Sequence, residues 1–305
     1  MFDTSETGTA SDAGHPHPEG AMSNMPMPIA VTYLSSGEAL PVLGQGTWTI
    51  GVDARRRKEE IASLRLGIEL GMTLIDTAEM YADGGAEKVV AQAIAGWRSE
   101  VFLVSKVLPE HATRRGTVAA CERSLRRLKT DRLDLYLLHW RDEIPLFETL
   151  EAFDKLLRAG KIRYWGVSNF DLADMQELVG FRAGAGVAAN EVMYNVKRRG
   201  IEYALMPWCR RRHITIIAYS PLDQAQLVRS RKLKDIAIRH DATPAQVALA
   251  WLVRQKGVIA IPKMKSQAHV RENRAALDLR LDKHDLATLD HVFPSPLKKK
   301  PLETT

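Results

Sequence analysis

From residue 31 onward, short runs of aliphatic and β-branched residues alternate with longer stretches whose apolar residues recur at helical spacing. The short runs are LPVLGQG, MTLIDTA, VFLVSK, LDLYLLHW, IRYWGVSN, GVAANEV, ITIIAYS and GVIAIPK. The longer ones include KEEIASLRLGIELG, GAEKVVAQAIAGW, TVAACERSLRRLK and LFETLEAFDKLLRAGK. Strand-like runs return at intervals of about thirty residues, as a repeated βα unit requires. Their near-continuous hydrophobicity marks strands buried on both faces, hence parallel strands covered by helices. Eight such strands with alternating helices predict a closed (β/α)8 barrel, the α/β fold of TIM-barrel type. An open doubly wound sheet is the competing architecture. It usually carries G-x-G-x-x-G between its first strand and helix, and no such string occurs. Ahead of the barrel, IAVTYLSSGEALPVLGQGTW alternates apolar and polar residues around Ser36-Gly37, which predicts an N-terminal β-hairpin.

Nearly every run closes on polar groups: Asp76, Ser105-Lys106, His139, Ser168-Asn169, Asn190-Glu191, Tyr219-Ser220 and Lys263. In a barrel these are the C-terminal strand ends, which converge in space and build the active site. Asp76, Tyr81, Lys106 and His139 together supply an acid, a phenol, an amine and an imidazole. Those are the groups needed to deliver a proton to a carbonyl oxygen. Taken singly, Tyr81 also reads as a packing residue and His139 as a satisfied core histidine; it is the joint placement that points to chemistry.

Composition narrows the rest. The chain has 305 residues, 45% hydrophobic and 26% charged, an ordinary globular balance. Barrels of about 250 residues form one domain, so residues 28–295 are expected to be a single barrel and 296–305 a tail. Residues 1–27 are small, polar and rich in Pro and Gly, with too little apolar area to order themselves, and predict a disordered leader. Met22 or Met25 is a candidate alternative start. No signal-peptide core and no apolar span of about 20 residues is present, so a cytoplasmic, monomeric protein without membrane contact is expected. Cys121 and Cys209 fit no ligand or redox spacing and read as packing residues. The net charge of +6 is scattered over short clusters. These read as solvated surface, then as partners of an anionic cofactor, rather than as a nucleic-acid face.

At the strand ends the chain resembles the aldo-keto reductase superfamily. LIDTAEMYADGGAEKVV carries the resemblance, and VFLVSK, DLYLLHW, GVSNF, AYSPL and IPK...EN continue it in order over about residues 30–295. Within the superfamily it looks most similar to bacterial NADPH-dependent reductases of small aldehydes, methylglyoxal among them. The resemblance implies that Tyr81 gives the proton, with Lys106 lowering its pKa, Asp76 holding Lys106, and His139 orienting the carbonyl oxygen. It implies a nicotinamide cofactor held by Gly46, Thr47, Ser168, Asn169 and Glu191, with the Tyr219 ring stacked on the nicotinamide. Ser220, Pro221 and Leu222 are expected along the pyrophosphate, and Lys263, Met264, His269, Glu272 and Asn273 around the adenosine 2′-phosphate.

Three of these positions depart from the family pattern. Glu191 stands where a glutamine is usual, and an ionised carboxylate accepts hydrogen bonds but cannot donate them. Met264 replaces a serine, and His269 an arginine, which weakens the phosphate site. NADPH stays preferred because Lys263 is kept and Lys265 and Arg271 lie near in sequence, with NADH as the second possibility. Trp48, Tyr81, His139 and Trp140 are expected to wall a small-carbonyl pocket. Short loops after the strands predict an open site, and their arginines a leaning toward anionic aldehydes. Two other readings stay open: a Schiff-base aldolase using Lys106, and a cofactor-binding regulatory barrel with little turnover. A metal-dependent hydrolase would need several His and carboxylate ligands at strand ends; only His139 is so placed.

Overall fold

The computed structural model describes residues 29–263 and 266–304, together with Met1. The expected disordered leader therefore lies outside the described residues but for its first methionine, and so do Met264 and Lys265. Two strands, β1 (Val31–Tyr33) and β2 (Ala39–Pro41), form the antiparallel hairpin, turning at Gly37 with φ 86°. Eight parallel strands follow: β3 (Gln45–Gly46), β4 (Leu74–Asp76), β5 (Phe102–Val107), β6 (Leu133–Leu138), β7 (Ile162–Ser168), β8 (Ala189–Met193), β9 (Thr215–Tyr219) and β10 (Val258–Ala260). They neighbour one another in chain order, and the two edges meet where Leu43 bridges Ala260 and Gly46 bridges Lys263. Gly46 permits this closure, because a Cβ there would lie 2.7 Å from the Ile261 carbonyl oxygen.

The connecting helices are α1 (Arg57–Glu69), α2 (Gly85–Ala93), α3 (Arg114–Leu128), α4 (Leu146–Arg158), α5 (Leu172–Gly180), α6 (Leu205–Arg211), α7 (Arg231–Arg239), α8 (Pro244–Val253), α9 (Gln267–Ala275) and α10 (Lys283–Val292). Local chemistry sets several starts: Thr113 caps α3, and Thr243 with Gln246 forms a capping box ahead of α8, whose first residue is Pro244. Cys121 on α3 and Cys209 on α6 are buried free thiols, as packing residues should be.

One run is divided differently from expectation. LPVLGQG reads in sequence as a single first strand, but its start belongs to the hairpin and only Gln45–Gly46 pairs with β4. Pro41 has no N–H to donate, while Val42 bonds back to Ala30 and accepts from Ala260. The run thus serves the hairpin first and the barrel second.

Two apolar layers hold the barrel. Outward residues of the strands, such as Ile75, Leu103, Tyr136, Trp165 and Ile216, pack under the helices. Inward residues Leu74, Phe102, Val104, Leu135, Leu137, Ala189, Ile217 and Ile259 fill the interior. The hairpin's Leu34 and Leu40 join that inner cluster, and Glu38 and Ser36 bond Arg163 and Tyr164 at the start of β7. The hairpin therefore plugs the end from which the strands start, leaving the opposite end open. No helix among the described residues is long and apolar enough to cross a membrane.

Candidate active site

Strand geometry alone puts the polar groups into one place. Side chains alternate with period two, so each inward apolar residue is followed two positions later by another inward side chain. Leu74 leads to Asp76, Val104 to Lys106, Leu137 to His139, Gly166 to Ser168, Ala189 to Glu191, Ile217 to Tyr219 and Ile261 to Lys263. The apolar layer closes the interior, and the polar layer becomes the floor of a cavity of about 1370 Å³. That volume exceeds the ~300–1,000 Å³ usual for a drug-sized ligand and suits a dinucleotide with a small second molecule.

At the floor, Lys106 Nζ lies 2.5 Å from Asp76 Oδ1, 3.3 Å from Glu191 Oε1, 3.2 Å from the Thr77 carbonyl and 3.4 Å from the Tyr81 hydroxyl. Lys106 is 0% exposed, and Asp76 and Glu191 are each 2% exposed. Burial pulls the Lys106 ammonium down, but Asp76 and Glu191 outweigh it and hold its pKa above the usual lysine range. Burial likewise pushes both carboxyls up: Asp76 rises despite Lys106, and Glu191 rises well above a normal glutamate, further raised by Asp76.

The expectation that Lys106 lowers the Tyr81 pKa needs correcting as a net statement. Lys106 does pull it down, but burial is the larger effect and the phenol stays above its ordinary value, with Asp76 and Glu191 adding to the rise. Tyr81 meets His139 edge-on, ring centroids 5.9 Å apart, and His139 tilts against Trp140 at 4.9 Å. Burial, with Lys106 nearby, pushes the His139 pKa down to about 2. The imidazole is therefore neutral at ordinary pH.

The neighbouring wall is prearranged. The Asn169 amide donates to the His139 carbonyl at 3.1 Å and to Ser168 Oγ at 3.1 Å, and its oxygen accepts from the Tyr219 hydroxyl at 2.8 Å. Asn169 has φ 59°, a left-handed conformation that Asn adopts more readily than most residues. Ser220 has φ 49° and is held by the Asn195 amide, which donates to its carbonyl at 2.9 Å. Lys263 bonds Thr49 across the rim.

Most sequence-predicted residues line this one cavity: Gly46, Trp48, Asp76, Tyr81, His139, Trp140, Ser168, Asn169, Glu191, Tyr219, Ser220, Pro221, Leu222, Lys263, His269, Glu272 and Asn273. Lys106 stands behind its wall, and Thr47 is fully buried, its hydroxyl donating to the Asp76 carbonyl at 2.8 Å. Met264 falls outside the described residues. Among the described residues Arg141 is the one arginine on the wall, and it is already paired with Glu177 at 2.6 Å and Asp174 at 3.2 Å. The expected leaning toward anionic aldehydes thus loses its carrier. Sequence reading missed Met80, Gln224, Ala225 and Thr304 on the wall. All four sit in irregular segments, where no periodicity signals a direction.

Comparison with known proteins agrees with this geometry. The pattern of the Aldo/keto reductase family matches residues 42–293. The chain belongs to the aldo/keto reductase family. It is 53% identical over 274 residues to the methylglyoxal reductase YeaE of Escherichia coli strain K12, covering 88% of this chain and 96% of that one. It is 34% identical over 257 residues to a glyoxal reductase of Bacillus subtilis strain 168, covering 84% and 90%. An aldo/keto reductase from Klebsiella pneumoniae, solved in complex with NADP and acetate, superposes with a TM-score of 0.89 at 49% identity, covering 91% of this chain and 100% of that one. As a member of this family the protein is an oxidoreductase, and among its described residues no cluster of three or more His, Cys, Asp or Glu is arranged to hold a metal ion.

Proposed function

We propose that the protein is an NADPH-dependent reductase of small aldehydes and ketones, 2-oxoaldehydes such as methylglyoxal among them, acting as a cytoplasmic monomer whose residues 28–295 are one barrel domain. The observation that carries this reading is the Tyr81 hydroxyl at the cavity floor, 3.4 Å from a buried ammonium and beside a neutral imidazole. NADPH, when bound, supplies hydride to the carbonyl carbon. The rest falls to side chains of this chain. Tyr81 gives its proton to the carbonyl oxygen, and its raised pKa keeps it protonated until then. Lys106, held charged by Asp76, takes up the negative charge that develops on the phenol oxygen. His139 donates a hydrogen bond to the same carbonyl oxygen, and Trp48 and Trp140 wall the substrate.

For the cofactor, Ser168, Asn169 and Glu191 are the groups that would hold the carboxamide, with Tyr219 packed on the nicotinamide. Gly46 and Ser220-Pro221-Leu222 would meet the pyrophosphate, and Thr47 acts from behind by fixing the Asp76 backbone. Lys263, His269, Glu272 and Asn273, with Met264, would surround the adenosine phosphate and favour NADPH over NADH. The cavity volume fits such a group, and the methylglyoxal reductase and NADP-bound relatives support the substrate and cofactor classes.

The aldolase reading is disfavoured because Lys106 is wholly buried and held as an ammonium, whereas a Schiff-base lysine must reach substrate as a free amine. Tyr81→Phe tests the proposal. It should lower kcat for methylglyoxal by about 10²–10⁴-fold, with the NADPH Kd from fluorescence titration nearly unchanged. Wild-type turnover in that variant would refute the role of Tyr81. Tight NADPH binding by the natural chain without turnover over a broad carbonyl panel would instead favour a regulatory barrel.

A further inference from the structure

The floor of the cavity holds one cation against two carboxyls. Lys106 Nζ contacts both Asp76, at 2.5 Å, and Glu191, at 3.3 Å, and all three side chains are buried. Among the described residues, the other groups facing the cluster bring no compensating charge. They are the Tyr81 hydroxyl from the loop after β4, His139 after β6, which is neutral, and Ser168 on β7; Ile217 pairs from β9. With both carboxyls ionised the cluster carries a net buried negative charge, which is costly. Two carboxyls that share one site instead hold a proton between them. Glu191 and Asp76 also meet directly, in a side-chain hydrogen bond that favours the proton on Glu191 and the charge on Asp76.

We infer that Glu191 is a second proton-holding carboxyl beside Asp76, kept neutral at physiological pH, so that Lys106 faces one carboxylate rather than two and its charge remains available to Tyr81. Asp76, closer to the ammonium, is the partner that stays ionised. A neutral Glu191 offers both an O–H donor and a carbonyl acceptor, which a carboxylate does not. Its burial and the adjacent Asp76 both favour the protonated form. When pH rises far enough to ionise Glu191, the added negative charge raises the Tyr81 pKa and makes the phenol a weaker acid. Besides its proposed contact with the carboxamide, Glu191 thus acts on Tyr81 through Lys106.

Glu191→Gln carries the donor and acceptor of the protonated acid but cannot ionise. Infrared spectra of the cofactor-free natural chain should contain a protonated-carboxyl band near neutral pH that Glu191→Gln lacks. The folded state keeps a proton that an unfolded glutamate, with a pKa of about 4.3, has lost. The natural chain should therefore lose stability as pH rises above that value, and Glu191→Gln should lose less. The kinetic arm rests on the proposed reductase reading. There, kcat/KM of the natural chain should fall about three- to tenfold to an alkaline plateau, while the Glu191→Gln profile, at whatever level it starts, should show no such fall. Absence of the infrared band, its survival in Glu191→Gln, or superimposable pH profiles of the two chains would overturn the inference. A chain that reduces no carbonyl would sink the reductase reading and leave the infrared and stability tests to decide this one.

Discussion

His139 shows at the scale of one residue how burial fixes a chemical role. A free imidazole changes charge near pH 6.5, but here burial and the Lys106 charge push its pKa down to about 2. The sign is unambiguous: the ring is neutral above that value and gains a proton only below it. His139 can then donate a hydrogen bond but cannot serve as a cationic acid. Replacing His139 with Asn should lower kcat by about 10²-fold and should do so equally at every pH between about 5 and 8. A rate profile of the natural chain with an inflection near pH 6.5 that vanishes in the variant would show the imidazole titrating after all. Tyr81 marks what a sequence conceals at this scale. Its proximity to Lys106 follows from strand order, so the direction of that one influence was legible. Whether burial outweighs it depends on how tightly Trp140, His139 and the barrel floor exclude water, and nothing in a linear sequence measures that.

At the scale of the elements, period-two alternation made most of the site readable. Asp76, Lys106, Ser168, Glu191 and Tyr219 each end a run whose preceding inward residue is apolar or small, so direction and depth were both encoded. The approach of Glu191 to Lys106 was not, because β5 and β8 meet only through the curvature of the closed sheet. Nor were the irregular pieces legible. The loop after β9 carries consecutive left-handed residues Asp223, Gln224 and Ala225, with φ of 48°, 51° and 68°. Such backbone persists only where its surroundings impose it, and here the buried Asp223 accepts from Lys197 at 2.8 Å and Arg198 at 3.2 Å. Arg198 also reaches Glu303 in the C-terminal segment at 2.7 Å, so one guanidinium ties together two coil segments that border the cavity. Arg198→Ala should release both. The Arg198 side chain is about one-third exposed, so screening limits the effect. NADPH should dissociate about three- to tenfold faster in stopped-flow fluorescence, and an unchanged off-rate would mean that the loop holds its shape without the clamp.

For the molecule as a whole, the cavity joins nearly every strand end to the segments around α9, so a ligand that fills it bridges the barrel across its full width. Lys263, whose backbone helps close the sheet against Gly46, stands on the same wall as His269 and Asn273. Filling that wall should therefore stabilise the entire barrel rather than one lobe. Binding at about 100 times Kd adds about 2.7 kcal/mol to the folded state. At roughly 2–4 °C per kcal/mol for a domain of this size, the melting temperature should rise by about 5–10 °C. The rise should appear in one cooperative calorimetric transition if residues 28–295 are a single domain; two separable transitions, only one of them shifted, would divide the barrel. NADH at equal concentration should shift the transition less, because it lacks the phosphate that Lys263 would meet. Lys263→Met should bring the two cofactors' shifts together by lowering that of NADPH. Equal shifts in the natural chain would show that, with histidine at position 269, the wall no longer distinguishes the two.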